Sequence, residues 1–212
     1  RRHAPELADA YGVLAWPAEW HAGLWEECRA VGVEYMCTVY CHADIAVVAP
    51  YVSRFKISSF EAADHAFVHA HFPYGKPVII SLGMVDDIGL TAWLRDWFNA
   101  KTILLHCVSG YPTPIQQANL LVLSRVMMTG FSDHTAHVLN GAVAVAAGAE
   151  VLEVHMRLDD TDPLNPDYPH SLTPEQLDEY VRNVRLAEAM LGDGIKRIMP
   201  AEAGNVRYQV CS

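Results

Sequence analysis

Short apolar runs recur along the chain, each followed by polar or turn-forming residues. They are VEYMCTVY from Val33, RFKISS from Arg54, PVIISLG from Pro77, TILLHCVS from Thr102, MMTGFSD from Met127 and EVLEVHM from Glu150. Runs of this length and β-branched content predict strands buried on both faces. The segments between them carry a helical period. In WPAEWHAGLWEECRAVG, Pro17 stands near a helix start, an apolar stripe runs through Trp20, Leu24 and Cys28, and Gly32 supplies a stop. NGAVAVAAGAE from Asn140 is small and apolar, as a helix packed on a sheet would be. LTPEQLDEYVRNVRLAEAMLG opens with Thr173 as N-cap and Pro174 in the first turn, then runs amphipathically to Gly192.

Strands alternating with helices at regular intervals mean βαβ units and a parallel sheet. Polar residues gather at the C-terminal ends of the strands: Lys56, Ser81, Ser109, Ser132 and His155. In barrels of alternating strands and helices that face carries the active site. A doubly wound open sheet would announce itself by a G-x-G-x-x-G turn, and the chain has none. The expected fold is therefore an α/β, (β/α)8 TIM-type barrel. A full barrel takes eight strands and about 250 residues, whereas about six strand runs fit in these 212 residues; the first two strands of the barrel are expected to be lacking. The turn-rich stretch DDTDPLNPDYPH from Asp159 reads as an active-site loop.

Composition narrows the function. The chain is 51% hydrophobic and 19% charged, enough for one well-cored domain. A net charge of -10 argues against nucleic acid or an anionic membrane as partner, while leaving room for a locally basic pocket. The five cysteines (Cys28, Cys37, Cys41, Cys107 and Cys211) form no repeated C-x-x-C pair, so they are expected to be reduced thiols of a cytoplasmic protein.

Two constellations carry chemistry. His134 and His155 end successive strands, and two imidazoles converging at a barrel mouth suit a divalent ion, although two structural histidines would read the same. Lys56 with Ser59, Ser81, Ser109 and Ser132 puts one cation and several hydroxyls around a strand-end cavity, an anion-binding set, although any single serine there equally satisfies backbone groups. Asp133 either orients the site or caps a turn. Other features point away from chemistry. HAFVHAH from His65 reads as a surface helix, Cys37-Cys41-His42 lacks a second ligand pair for zinc, and Trp16, Trp20 and Trp25 read as core and helix packing.

The motifs KISSFE, KPVIISLGM, LLHCVSGYPTPIQQANL, GFSDHT, LEVHMRLDD and PDYPHSLTPEQL stand in fixed order across nearly the whole chain. That order resembles the sialic acid synthase family, with the related legionaminic acid, pseudaminic acid and spore-coat sugar synthases. The resemblance implies condensation of phosphoenolpyruvate with N-acetylmannosamine or another N-acylated amino sugar, giving a nonulosonic acid and phosphate. It implies a divalent metal, Mn²⁺ (or Mg²⁺ or Co²⁺), on His134 and His155. It also implies phosphoenolpyruvate on Lys56, Ser59, Ser81, Ser109, Ser132 and Thr38, proton transfer by Glu61, and the amino sugar against Tyr111 and Asp167. Glu61 has a plainer reading too, as a helix-start carboxylate complementing the dipole. The chain departs from the family pattern at Tyr168, where P-D-H is usual, at Leu82 in place of threonine, and at Asp64 in place of asparagine.

By the same resemblance, residues 1–200 are a partial barrel domain, and residues 201–212 begin a linker toward an antifreeze-like domain. In the family that domain caps the partner subunit's site, so the full-length protein is expected to be a homodimer. The missing N-terminal strands would supply a glutamate and a further lysine. Two classes of function stay open: an enzyme, or a non-catalytic remnant that binds sugar or phosphoenolpyruvate.

Overall fold

The computed structural model describes residues 16–86, 89, 101–125 and 128–208; Cys211 and the chain's first residues lie outside them. The elements run α1 (Trp20–Val31), α2 (His42–Val48), β1 (Phe55–Ile57), α3 (His65–His69), β2 (Val78–Leu82), β3 (Thr102–Cys107), β4 (Gly130–Asp133), α4 (Asn140–Ala146), β5 (Val151–Met156), β6 (Ser171–Leu172) and α5 (Pro174–Leu191), with short 3₁₀ turns between. Every strand pairs in parallel with its neighbours in chain order, β1-β2-β3-β4-β5-β6. The product is a six-stranded parallel α/β half-barrel.

The period of two along each strand sorts its residues onto two faces. Phe55, Ile57, Val78, Ile80, Leu82, Leu104 and Phe131 join the buried cluster that the helices cover. Each such side chain contributes about 1.5–3 kcal/mol on burial. Their alternates point the other way, in register: Lys56 beside Ile79, Ser81 beside Leu105, Cys107 beside Ser132, and Ser132 beside Glu153. Thus the apolar face anchors the wall and the polar face is left for chemistry. Around β5 a second cluster forms, in which Leu172, Tyr180 and Val184 pack on Leu152, Val154 and Leu177.

Helix ends follow the expected chemistry. Gly32 terminates α1 at φ 78°, a left-handed conformation that costs glycine little. At the start of α5 the Thr173 hydroxyl accepts from Gln176 N at 3.2 Å, and the Gln176 side-chain Oε1 accepts from Thr173 N at 2.9 Å, a closed capping box. Gly141 in α4 has no room for a Cβ, because the Tyr180 ring lies against it. That approach lets the Tyr180 hydroxyl donate to Asp133 at 3.3 Å.

Three expectations are corrected. The Val33 run forms no strand; it contributes one isolated parallel bridge, Thr38 to Lys56, and the sixth strand is instead Ser171–Leu172. HAFVHAH does form a short helix, capped by Asp64, but His71 at its end is fully buried, with its ring edge-on to Phe55 and Phe67. Of the three indoles, Trp16 and Trp20 are exposed, and only Trp25 packs, against Tyr51 and under Arg29. A helix that covers one wall of a half-barrel has a narrower buried stripe than its apolar content suggests.

Candidate active site

The polar face of β1 to β4 builds a compact network. Lys56 is 4% exposed and donates to the Ser81 hydroxyl at 2.9 Å and to the Ile57 carbonyl at 3.0 Å. Its ammonium also lies 3.5 Å from Glu153 Oε1, and that same oxygen accepts from the Ser132 hydroxyl at 2.7 Å. Ser59 accepts from Gly83 N at 2.9 Å and reaches Cys107 Sγ at 3.5 Å; Ser109 Oγ lies 3.9 Å from the same sulfur. Gly83 is fixed by this crowding, since a Cβ there would collide with the Ser109 hydroxyl and press on that of Ser59. Thr38, half-buried, sits beside Lys56 through its bridge. One buried cation among several hydroxyls at strand ends is the donor set that an anion with carboxylate and phosphate groups requires.

The other half of the site is aromatic and imidazole-rich. His134, which follows β4, and His155 in β5 bring their rings to 5.3 Å. Tyr111 lies 4.3 Å from the His134 ring and 6.3 Å from that of His155. His134 Nδ1 lies 2.9 Å from the Val108 carbonyl, which can only accept; the proton therefore sits on Nδ1 and the Nε2 lone pair is free for a metal. Thr113 ties the same loop down. Its N donates to the His134 carbonyl at 2.9 Å and its hydroxyl to Gly110 and Val108. The Tyr111–Pro112 peptide in this loop is cis.

Charges in the site are strongly perturbed. Burial disfavours protonated His134, but the Cys107 sulfur and the Val108 carbonyl outweigh it and move its pKa up. Burial pushes the Cys107 thiol up, while His134 and the Ser59 hydroxyl pull harder and bring it below its ordinary value. Burial, followed by Cys107, raises Tyr111 to about 12, so its hydroxyl stays protonated as a donor. His155 and His170 on either side hold the Asp167 carboxyl far below the carboxylate range.

The structure brings together Lys56, Ser59, Ser81, Ser109 and Ser132 as one group, and His134, His155, Tyr111 and Asp167 as another. Glu61 stands apart from both in its described contacts: it is half-buried in the turn after β1 and accepts from the Ser58 hydroxyl. Asp133 acts as an organiser, accepting from Thr135 N and Oγ1, Asn140 Nδ2 and Tyr180. Two residues were missed. Glu153 was legible from period alone, because it precedes His155 by two and must share its face. His170 was not: nothing in the loop sequence says that its ring turns inward.

The donors fit a divalent metal. His155, Asp167 and His170 each offer one ligand atom, all within 4.8 Å of one another. His170 is 2% exposed, and neither of its ring nitrogens has a hydrogen-bond partner. Imidazole and carboxylate together suit first-row divalent ions.

Comparison with known proteins decides the family. A family profile described as the NeuB family matches residues 2–196. The chain belongs to the NeuB family. An uncharacterised protein of Methanocaldococcus jannaschii is 40% identical over 161 residues, covering 71% of this chain and 47% of its own. The N,N'-diacetyllegionaminic acid synthase of Legionella pneumophila is 31% identical over 213 residues, covering 93% of this chain and 60% of its own. Among solved structures, the spore coat polysaccharide biosynthesis protein SpsE of Bacillus subtilis superposes with a TM-score of 0.77 at 30% identity, covering 88% of this chain and 55% of that one. This NeuB-family chain thus spans roughly half to three-fifths of the length of the curated relatives it matches. Among the described residues no helix is long and apolar enough to cross a membrane.

Proposed function

We propose that the chain carries the site of a metal-dependent synthase that condenses phosphoenolpyruvate with N-acetylmannosamine or a related N-acylated amino sugar. The observation that carries this reading is the meeting of the Lys56–Ser81–Ser132 anion group with the His134–His155 pair at the C-terminal ends of adjacent parallel strands. Membership of the NeuB family supports it, as does the legionaminic acid synthase among its relatives.

In this reading Lys56, Ser59, Ser81, Ser109, Ser132 and Thr38 hold the phosphate and carboxylate of phosphoenolpyruvate. Tyr111, protonated, and Asp167, ionised, hold the sugar hydroxyls and amide. His134 and His155 hold the divalent ion, taken as Mn²⁺, which supplies Lewis-acid polarisation of the sugar aldehyde when bound. The methylene carbon of phosphoenolpyruvate forms a bond to the aldehyde carbon, and the aldehyde oxygen takes a proton and becomes a hydroxyl. Water adds to the former enol carbon, the C–O bond to phosphate breaks, and inorganic phosphate leaves. Glu61, which accepts from the Ser58 hydroxyl, handles a proton in this reading. The chain's own contribution is orientation and charge placement. The free thiols of Cys28, Cys37, Cys41 and Cys107 support a cytoplasmic setting, and a homodimer of the full-length protein belongs to the same proposal.

The test is release of inorganic phosphate and formation of a nonulosonic acid from phosphoenolpyruvate, N-acetylmannosamine and Mn²⁺, followed by chromatography. Folded chain that binds phosphoenolpyruvate but releases no phosphate with any amino sugar is a binding module. Chain that binds neither phosphoenolpyruvate nor Mn²⁺ ends both readings. A folded Glu61→Gln variant with full turnover removes Glu61 from the mechanism.

A further inference from the structure

We infer that His170 is a metal ligand in this chain, joining His155 and Asp167 in a two-imidazole, one-carboxylate set opposite His134. The inference rests on the metal-dependent reading above and extends it to a residue outside the two strand-end histidines.

The first support is burial without an aligned hydrogen bond. The His170 side chain is 1% exposed, and both ring nitrogens are sealed from water with no hydrogen bond. The polar neighbour of its Nε2 is the Asp167 carboxylate, too poorly aligned for a hydrogen bond, and a cation shared by the two satisfies both where solvent cannot reach. The second is convergence. Asp167 Oδ1 lies 3.4 Å from His170 Nε2 and its Oδ2 lies 3.6 Å from His155 Nδ1. Neighbouring ligands on an ion with bonds near 2.1 Å sit roughly 3.0–3.4 Å apart, so a small contraction closes this set. The rings of His155 and His170 are already at 4.5 Å, and Tyr111 meets His170 edge-on at 5.0 Å.

The third is how the loop is built. Ser171 pairs with His155 across β5 and β6, and its hydroxyl donates to the Asp167 carbonyl at 2.6 Å. The turn carrying Asp167 and His170 is therefore locked to the strand carrying His155. Tyr168 is held elsewhere, with its ring 4.1 Å beneath the Arg157 guanidinium. The imidazole that position 168 lacks is present at position 170. His71 is the instructive contrast. It too is buried with an unpartnered Nε2, yet its Nδ1 bonds to the Phe67 carbonyl and phenylalanine rings surround it. Apolar neighbours offer an ion nothing.

A set with up to three imidazoles favours Mn²⁺, Co²⁺ or Zn²⁺ over Mg²⁺. One Asp167 oxygen on the ion still leaves lone pairs for a sugar hydroxyl.

The test uses the full chain with Mn²⁺ alone. Calorimetry gives affinity and pulsed electron paramagnetic resonance counts coupled imidazole nitrogens, for wild type, His170→Asn, His170→Ala, His155→Ala and His71→Asn. The expected result is a loss in both His170 variants larger than the roughly 10–100-fold seen when a residue merely behind a ligand is removed, with one nitrogen coupling gone and His71→Asn unchanged. Should the variants fail to fold by circular dichroism, the wild-type spectrum decides: couplings from His134 and His155 alone overturn the inference. Wild-type affinity in folded His170 variants, with binding lost in His155→Ala, overturns the inference and leaves the synthase reading intact. Phosphoenolpyruvate binding without any Mn²⁺ binding by wild type removes the metal from both.

Discussion

The two halves of the site sit a strand apart and differ in how their polar atoms are satisfied. Across β1, β2 and β4, Lys56, Ser81 and Ser132 are tied together with Glu153 from the start of β5, so the group is complete before any ligand arrives. On the side of β5 and the loop after it, His155, Asp167 and His170 approach at 3.4–3.6 Å without an aligned hydrogen bond to close them. A closed network holds its shape and must be opened by an incoming anion. An open cluster is shaped by what it binds. The first half therefore answers to stability as well as anion-binding measurements, the second to ligand binding.

The largest expected effect breaks the closed half. Lys56→Met leaves the half-buried Glu153 carboxylate without its cation and removes the bond to Ser81, which together should cost about 2 kcal/mol. Chemical denaturation should show that loss, and Glu153→Gln in the same background should recover part of it. An additive double variant would mean that the two side chains do not interact. Next, Glu153→Gln alone should tighten binding of inorganic phosphate several-fold, because the carboxylate 3.5 Å from Lys56 competes with any anion; calorimetry checks this, and unchanged or weaker binding would show that Glu153 positions Lys56 more than it neutralises it. Tyr180→Phe deletes the hydrogen bond to Asp133 and should cost about 1 kcal/mol, without altering Mn²⁺ affinity, since Asp133 keeps its bonds to Thr135 and Asn140.

The smallest effect lies outside the site, at the exposed pair of Glu34 with Arg54. Arg54, with the Ser53 hydroxyl, holds the Glu34 carboxyl below its ordinary value. A depressed folded pKa contributes stability that is present above the unfolded value near 4.3 and lost as pH falls through the folded one. Glu34→Gln should thus cost less than about 1 kcal/mol at pH 7, and the difference in thermal midpoint should vanish in acid. A difference that persists there would be packing, not charge.

Much of this comparison could be read before the fold. A period of two placed Lys56, Ser81, Ser132 and His155 on one face, and parallel pairing follows from strands alternating with helices. The closed half was thus nearly complete in the sequence, short only of Glu153. The open half was not, because Asp167 and His170 lie in a loop whose backbone has no period, and only the Ser171 pairing with His155 fixes where they point. The Val33 run misled for a related reason: its β-branched and aromatic residues suit a strand, but the chain there meets β1 at a single bridge. His71 shows the limit from the other side, as a polar residue just past a short helix whose burial depends on a ring of that helix, Phe67, and on Phe55 from β1.

The loop after β3 bears one more consequence. The Val108 carbonyl accepts a hydrogen bond from His134 Nδ1, and Thr113 N donates to the His134 carbonyl, so Tyr111 rides on a segment fastened at both ends to the residue that follows β4. In the proposed synthase, substrate range and metal affinity are then hereditary partners: a lineage that reshapes this loop to admit a bulkier sugar also retunes the imidazole beneath it. Descendants with new sugar preferences should carry compensating changes around His134, and libraries that vary Tyr111 alone should drift in metal requirement before they drift in specificity.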